Sequence, residues 1–517
     1  MSGLPSNHEL AAAFTELADR LELVESSPYR WLAYRKAAAA LGELGESAAQ
    51  MAQSGELLEV PGMGPATVEK VRSYAQTGTF PALDRAREQV PDGLLELTRV
   101  QGIGAKTARL IWDTTQATSF GEAQAAATSD QIRIPGVGPA TLAALAAHTP
   151  KEAHVADPRV RRDTAQSAFS SLAQLITAPQ GELIEAGDLT RGEELIREVV
   201  AVVSGTHTTP SHLADALADR GWSSITATAA GVTGVAASGA AVRVVVCEPE
   251  EVDRIASDEL GPAARAMIAD TELVRVEDIR ADLHTHTDWS DGVGSVEAMA
   301  TAARDLGLRV YAITDHSAPY AMVNGLGPDR IALQRQEIAR VQSLLAGDVD
   351  LLCGSEVEVL ADGSLGLDDE TLASLDWVVA SIHTQQRMDA ASLRARYERV
   401  LSNPLVDCIG HPTGRLLLKR DPMNIEMTWL IEQAAAAGVM LELNANPRRL
   451  DLSTEHVRMA IEAGVPICIN TDAHNAESLG LRSHGIAVAR RAGARPTSVV
   501  NTWELSAIQD ARPRNRA

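Results

Sequence analysis

The sequence predicts a multidomain protein with an all-α N-terminal third, a small α+β middle and a C-terminal α/β barrel. Three observations lead there. The chain has 517 residues, too many for one hydrophobic core, so about three domains are expected. Three Gly-x-Gly segments punctuate helix-like runs before residue 150. In the C-terminal half, strand-like apolar runs alternate with helical stretches about seven times, the pattern of an α/β barrel. The expected domains span 1–150, 160–268 and 275–517.

Bulk properties narrow the class. Apolar residues make up 45% of the chain, as in a globular protein. No apolar run approaches the ~20 residues of a membrane span, so no membrane association is expected. The opening MSGLPSNHELAAAF lacks the charged region of a signal peptide. Cys247, Cys353, Cys408 and Cys468 form no CxxC and lie among apolar residues, as buried free thiols of a cytoplasmic protein do. A net charge of −23 argues against a broad basic field for nucleic acid. Any DNA contact must then come from local backbone geometry.

In the first domain the pattern is VPGMGPATVEKV (60–71), VQGIGAKTARLI (100–111) and IPGVGPATLAAL (134–145). Irregular spacing excludes a solenoid. Gly-x-Gly lets the backbone turn tightly between helices and leaves amide N–H groups at a helix start, where phosphate is attracted. The alternative is a set of ligand-free helix corners, which three copies make less favourable. The candidate DNA contacts are Gly62, Gly64, Gly102, Gly104, Gly136, Gly138 and Lys106, the one lysine directly after a Gly-x-Gly. These segments resemble helix-hairpin-helix motifs, which hold DNA by its sugar–phosphate backbone without reading bases. The stretch NHELAAAFTELADRLELVESSPYRWLAYRKAAAAL (7–41) resembles the opening of bacterial family X DNA polymerases, implying a small helical domain that grips DNA near a gap. Residues 1–145 hold 12 Lys+Arg against 17 Asp+Glu, so the grip is expected to be weak and salt-sensitive.

The middle domain contains GDLTRGEELIREVVAVV (187–203). In the family it resembles, an Arg-Gly pair leads into a palm strand whose Asp-x-Asp binds two catalytic metals. Here Arg191-Gly192 and Glu194 remain. The Asp-x-Asp positions fall on Glu198 and Val200, and the third carboxylate position falls on about Arg243. No Asp-x-Asp occurs anywhere from 160 to 270. A two-metal site needs several carboxylates around adjacent cations, so a degenerate palm without polymerase activity is expected.

The barrel opens with LVRV (273–276), read as a strand, and DLHTHTDWSDG (282–292). On extended chain His284 and His286 share a face. Further ligand types follow at the ends of apolar runs: Asp315-His316, Glu356 with Glu358, His383, His411, Glu442 with Asn444, and Asp472 with His474. In such barrels the active site lies at the C-terminal strand ends. One histidine there is ordinary. Six histidines and three carboxylates placed alike point to a metal centre.

The order HxH…SDG…TDH…E…H…HP…TDAH resembles the PHP (polymerase and histidinol phosphatase) domain, a distorted seven-stranded barrel, in the form found in bacterial family X polymerases. The resemblance covers nearly the whole chain and implies three divalent metal ions. The first would take His284, His286, Glu356 and Asp472. The second would share Glu356 and add His383 and His411. The third would take Asp291, His316 and His474. Nitrogen and oxygen ligands suit zinc, manganese or iron alike. The family pattern gives Glu358 no metal. Arg415 and Arg449, or Arg448, are candidates for a bidentate hold on phosphate, with rim salt bridging as the alternative.

The expected function is a metal-dependent phosphoesterase acting on DNA, a 3′–5′ exonuclease in repair working on gapped duplexes or 3′ ends. One alternative is a small-molecule phosphatase similar to histidinol phosphatase, which the acidic charge favours. The other is a non-enzymatic DNA-binding scaffold, which the full ligand set disfavours. Oligomeric state is left open.

Overall fold

A computed structural model describes residues 4–515 apart from 25–27, 45, 101, 130–133, 149–157, 177–181, 205–208, 319–322 and 346. Two compact units result: residues 1–189 with 196–259, and residues 190–195 with 260–517. The helical and α+β domains thus share the first unit, where the Asn7 N–H donates to the Ala237 carbonyl at 2.9 Å. A six-residue piece of the middle region, Thr190–Leu195, belongs with the barrel.

Each Gly-x-Gly makes the same corner. Gly62, Gly102 and Gly136 have φ of 87°, 81° and 82°, a left-handed backbone that side chains rarely adopt. Gly64, Gly104 and Gly138 are N-caps of the helices Pro65–Thr77, Ala105–Thr115 and Pro139–Ala147, with no side-chain cap. The residue between the first two glycine pairs anchors the turn, Met63 and Ile103 both being buried. The helix-start N–H groups are therefore left for solvent or a ligand.

The α+β part is one five-stranded sheet in the order Glu182–Gly187, Val199–Ser204, Ala241–Cys247, Gly231–Val235 and Ser223–Thr228. Its central pair, Val199–Ser204 and Ala241–Cys247, is parallel, and the other pairs are antiparallel.

The second unit holds seven parallel strands, Ala281–Asp282, Val310–Ile313, Asp350–Glu358, Trp377–Ser381, Cys408–Ile409, Met440–Asn444 and Ile467–Asn470, paired in chain order. A bridge between Thr285 and Ala473 brings the first and last strands together just past their ends. The strands are buried on both faces, hence their unbroken apolar runs. One parity, Tyr311, Ile313, Val378 and Leu441 among others, packs with the helices. The opposite parity, Val310, Leu352, Val379 and Met440 among others, packs with Val500 and Ile508 of the C-terminal segment. Glu356, Glu358 and Glu442 continue that second parity, which aims them into the barrel interior beyond the apolar plug.

Two expectations change. LVRV forms no strand, because the Val274 N–H donates to the Ala494 carbonyl rather than to a sheet neighbour, and Val276–Asp278 is a 3-10 turn. Cys247 is half-buried, unlike Cys353, Cys408 and Cys468. Among the described residues no helix is long and apolar enough to cross a membrane.

Candidate metal centre

The ligand residues sit on or just beyond the C-terminal strand ends, and backbone bonds pin them. His284 and His286 flank Thr285, and the His286 N–H donates to the Ala473 carbonyl at 2.8 Å. The loop carrying Asp291 is gathered on the buried Asp315 carboxylate. It accepts from the Thr287 N–H at 2.8 Å and from the Thr287 and Ser290 hydroxyls and the Gln334 amide, each at 2.5 Å. His411 and Asp472 have left-handed backbones, φ 28° and 53°. Such backbone strain concentrates at functional sites and persists where surrounding bonds over-determine it. Here the His411 N–H donates to Glu442 at 2.6 Å and the Asp472 N–H to the His284 carbonyl at 3.0 Å.

Glu356, 1% exposed, lies at the middle. Its Oε2 is 2.8 Å from His316 Nδ1, 3.3 Å from His284 Nε2 and 3.6 Å from His286 Nε2. Its Oε1 is 2.9 Å from His411 Nε2 and 3.1 Å from His383 Nε2. Asp472 Oδ1 is 3.1 Å from His286 Nε2 and 3.8 Å from His284 Nε2. Asp291 Oδ1 is 3.4 Å from His474 Nε2 and 3.6 Å from His316 Nε2. The nine expected ligand residues therefore form one cluster. Ligand atoms within 4.8 Å of one another make three groups: His284, His286 and Asp472; His316, Glu356 and His383; His286, Asp291, His316 and His474. This differs from the partition implied by the resemblance: His286 and His316 each stand in two groups, Glu356 is apart from His284 and His286, and His411 is in none of the three.

These side chains fit cations. His284 Nδ1 donates to Glu442 Oε1 at 2.7 Å, which turns Nε2 toward Glu356 and Asp472. That nitrogen is buried without a hydrogen-bond partner and faces two carboxylate oxygens. Burial opposes charge on His284, but Glu442, Glu356 and Asp472 outweigh it and raise its pKa well above the usual imidazole value, so the spot calls for a positive charge, which a cation can supply in place of the proton. Likewise His383 Nδ1 donates to Glu358 at 2.7 Å, turning Nε2 to Glu356. The ring of His286 is stacked between those of His316 and His474, centroids 4.4 and 4.3 Å away. Burial and those neighbours lower its pKa to about 3, so it stands neutral, as a ligand must. Burial works to raise the carboxyl pKa of Glu356 and Asp472, but the surrounding histidines outweigh it and hold both well below the usual range. Burial opposes charge on His383 and His474, yet the facing carboxylates raise both to about 9.

The two candidate arginines differ. Arg449 Nε is 3.5 Å from Asp472 Oδ2, and its Nη1 is buried with no hydrogen-bond partner. Arg415 is engaged elsewhere: its Nη2 donates to Glu194 at 2.7 Å and to the Leu450 carbonyl, and its Nε donates to the Arg449 carbonyl at 3.0 Å. Two supporting residues were visible as strand-end carboxylates but without a role. Glu442 binds His284, the His411 N–H and Asn470. Glu358 holds His383 and the Thr384 N–H and hydroxyl. Such partners fix ring orientation and tautomer at metal sites.

Comparison with known proteins agrees with this architecture. The PHP domain family matches residues 282–446, a helix-hairpin-helix domain family matches 5–80, and a SAM-like helix-hairpin-helix tandem matches 54–117 and 94–149. The DNA polymerase/3′-5′ exonuclease PolX of Bacillus subtilis is 28% identical over 96% of this chain and 98% of its own. The chain is thus similar to PolX over nearly its whole length and matches the PHP domain family over residues 282–446. A probable phosphatase of Syntrophotalea carbinolica is 27% identical over 43% of this chain and 90% of its own. A histidinol phosphate phosphatase structure from Lactococcus lactis, with zinc, L-histidinol and phosphate, is 18% identical over 42% of this chain and 94% of that one, at a TM-score of 0.33.

Of the positions expected to carry palm carboxylates, Glu198 and Arg243 are joined in an ion pair and Val200 is apolar. Val200 and Arg243 are direct partners on the parallel central strands. Arg243 donates to both Glu259 oxygens at 2.8 Å and to Glu198 at 2.9 Å. Glu259 first and Glu198 next raise the guanidinium pKa against burial. A fixed cation therefore occupies the ground between the carboxylates. At the hairpins, among the described residues, no atom beyond the chain neighbours lies within 4 Å of a Cβ built on Gly62, Gly64, Gly104, Gly136 or Gly138, and Lys106 is exposed. The backbone there is open to a ligand.

Proposed function

We propose that this protein is a metal-dependent phosphoesterase that removes nucleotides from 3′ ends of DNA in the cytoplasm, gapped duplexes included. The observation that carries the reading is the Glu356 carboxylate, with three imidazoles on one oxygen and two on the other. Three ions, of zinc, manganese or iron, are proposed because the ligand atoms fall into three groups. Divalent cations there would supply a nucleophile at neutral pH and neutralise charge on the phosphate oxygens. His284, His286, Asp291, His316, Glu356, His383, His411, Asp472 and His474 would hold them. Arg449, with an uncommitted Nη1 beside Asp472, would grip a nonbridging oxygen. Arg415 is given no substrate contact, since its Nε and Nη2 are engaged by Glu194 and two carbonyls. Gly62, Gly64, Gly102, Gly104, Gly136, Gly138 and Lys106 would hold the DNA backbone.

End-labelled single strands and gapped duplexes incubated with Mn²⁺ test the reading. Shortening from the 3′ end that disappears in His284→Ala and Glu356→Gln is expected. Shortening that persists in both, or none in the wild type, refutes it. The acidic balance of residues 1–145 favours a small-molecule phosphatase as the second reading. A kcat/KM higher on a phosphomonoester than on an oligonucleotide would decide for it.

A further inference from the structure

Arg191-Gly192 and Glu194 match the palm pattern that the sequence resembles, although no Asp-x-Asp follows them. In the structure this segment, Thr190–Leu195, belongs to the barrel unit. Three contacts seat it. Gly192 has φ +74°, and a Cβ there would lie 2.6 Å from the Ala487 carbonyl oxygen, so only glycine comes this close. Glu193 pairs with Arg491. Glu194 divides its carboxylate, Oε2 accepting from Arg415 Nη2 at 2.7 Å and Oε1 from the Thr454 N–H at 2.6 Å.

The second bond is at a helix start. Thr454 opens the helix Thr454–Glu462, whose N-cap Ser453 satisfies the His456 N–H. Glu194 takes one of the N–H groups that a helix start leaves without an intrahelical partner, and its charge suits that end. The first bond reaches the metal centre. Arg415, oriented by Glu194, donates to the carbonyls of Arg449 and Leu450. Leu450 is itself left-handed, φ 42°. The loop between the Met440–Asn444 strand and the helix at Thr454 is thus tied from outside by the Glu194–Arg415 pair, beside the Leu417 N–H on the Arg448 carbonyl and the Thr413 N–H on the Asp451 carboxylate, and that loop carries Arg449 to within 3.5 Å of Asp472. The ion pair is mostly shielded, with side chains 14% and 20% exposed, so solvent screens it less than a surface pair.

We infer that Glu194 is a positioning residue of the phosphoesterase site: through Arg415 and the Thr454 N–H it fixes the 446–454 loop so that Arg449 meets the phosphate. The inference rests on the phosphoesterase reading and extends it to a residue of the palm-like motif.

The test uses the full chain and two readouts. Hydrogen exchange of amides 446–454 is measured first, without substrate. Glu194→Ala should speed exchange there, most at Thr454, and leave the amides of strand Trp377–Ser381 unchanged. Inorganic phosphate affinity and kcat/KM on a single-stranded oligonucleotide with Mn²⁺ are measured next. A misplaced loop group costs on the order of tenfold to a hundredfold, so Glu194→Ala and Arg449→Ala should each lose about that much. The double variant should lose no more than the worse single, because both remove one interaction. Should Glu194→Ala not fold, Arg415→Gln breaks the same pair from the other side. Unchanged exchange at 446–454, or losses that multiply in the double variant, overturns the inference. A wild type that binds no phosphate and cuts no DNA instead refutes the phosphoesterase reading, while hydrogen exchange still decides whether Glu194 orders the loop.

Discussion

Replacing Glu442 by glutamine removes one charge and exchanges an acceptor for a donor beneath the metal centre. Its Oε1 accepts from His284 Nδ1 at 2.7 Å and Asn470 Nδ2 at 3.0 Å. Its Oε2 accepts from the His411 N–H at 2.6 Å and Asn444 Nδ2 at 3.3 Å. An amide can serve only one pair. With its NH₂ at the Oε1 position, His284 must accept at Nδ1 and carry its proton on Nε2, the nitrogen facing Glu356 and Asp472. With the NH₂ at Oε2, the buried His411 N–H loses its partner, a cost of about 1–3 kcal/mol. Either way a ligand histidine is misoriented or mis-protonated. Loss of such a supporting partner lowers metal affinity by about 10–100-fold, or about 1.4–2.7 kcal/mol. Competition against a chromophoric chelator for Zn²⁺ or Mn²⁺ near neutral pH reads this directly. An affinity indistinguishable from wild type would show that Glu442 does not set the His284 tautomer.

Three further outcomes are expected. In the metal-free protein the pairing of His383 and His474 with carboxylates contributes stability that is complete below the ordinary imidazole value of 6.5 and is lost as pH rises through about 9. Metal uptake must displace those protons, so affinity rises with pH over that window and calorimetry in buffers of differing ionisation enthalpy detects proton release; a flat profile contradicts it. Gly102→Val with Gly104→Val, the first at φ +81°, should weaken binding of a gapped duplex in fluorescence anisotropy while leaving phosphomonoester hydrolysis intact. Primer extension should be absent with any divalent metal, and Val200→Asp should not restore it, because Arg243 stands directly across and is neutralised by Glu259 and Glu198; extension abolished by Glu198→Ala would show a working palm.

Much of the site was legible along the chain because each ligand type follows its own apolar run. His383 and His411 each stand two residues past a strand end, and Asp472 and His474 follow the Ile467–Asn470 strand at once. Period-two alternation then aims Glu356 and Glu442 inward. LVRV misled because an apolar alternation of four residues carries no information about its neighbours, and Val274 found the Ala494 carbonyl in place of a strand. Arg415 and Arg449 looked equivalent, both basic and both near the last ligands.

The amino-acid sequence by itself determined which side chains are candidate metal ligands, that they gather at the strand ends, and that no Asp-x-Asp occurs from 160 to 270. Tertiary structure alone decided how those side chains are used. Closure of the barrel set Glu442 under His284, 158 residues away, and so chose which ring nitrogen is offered to a cation. It stacked His286 between His316 and His474 and made that imidazole neutral. It brought Glu194 to Arg415 across 221 residues, while Arg449 keeps a buried Nη1 without a hydrogen-bond partner. A local pattern records the direction of a side chain from its own backbone, whereas its partner, protonation and freedom to bind depend on chain segments that meet only when the fold closes.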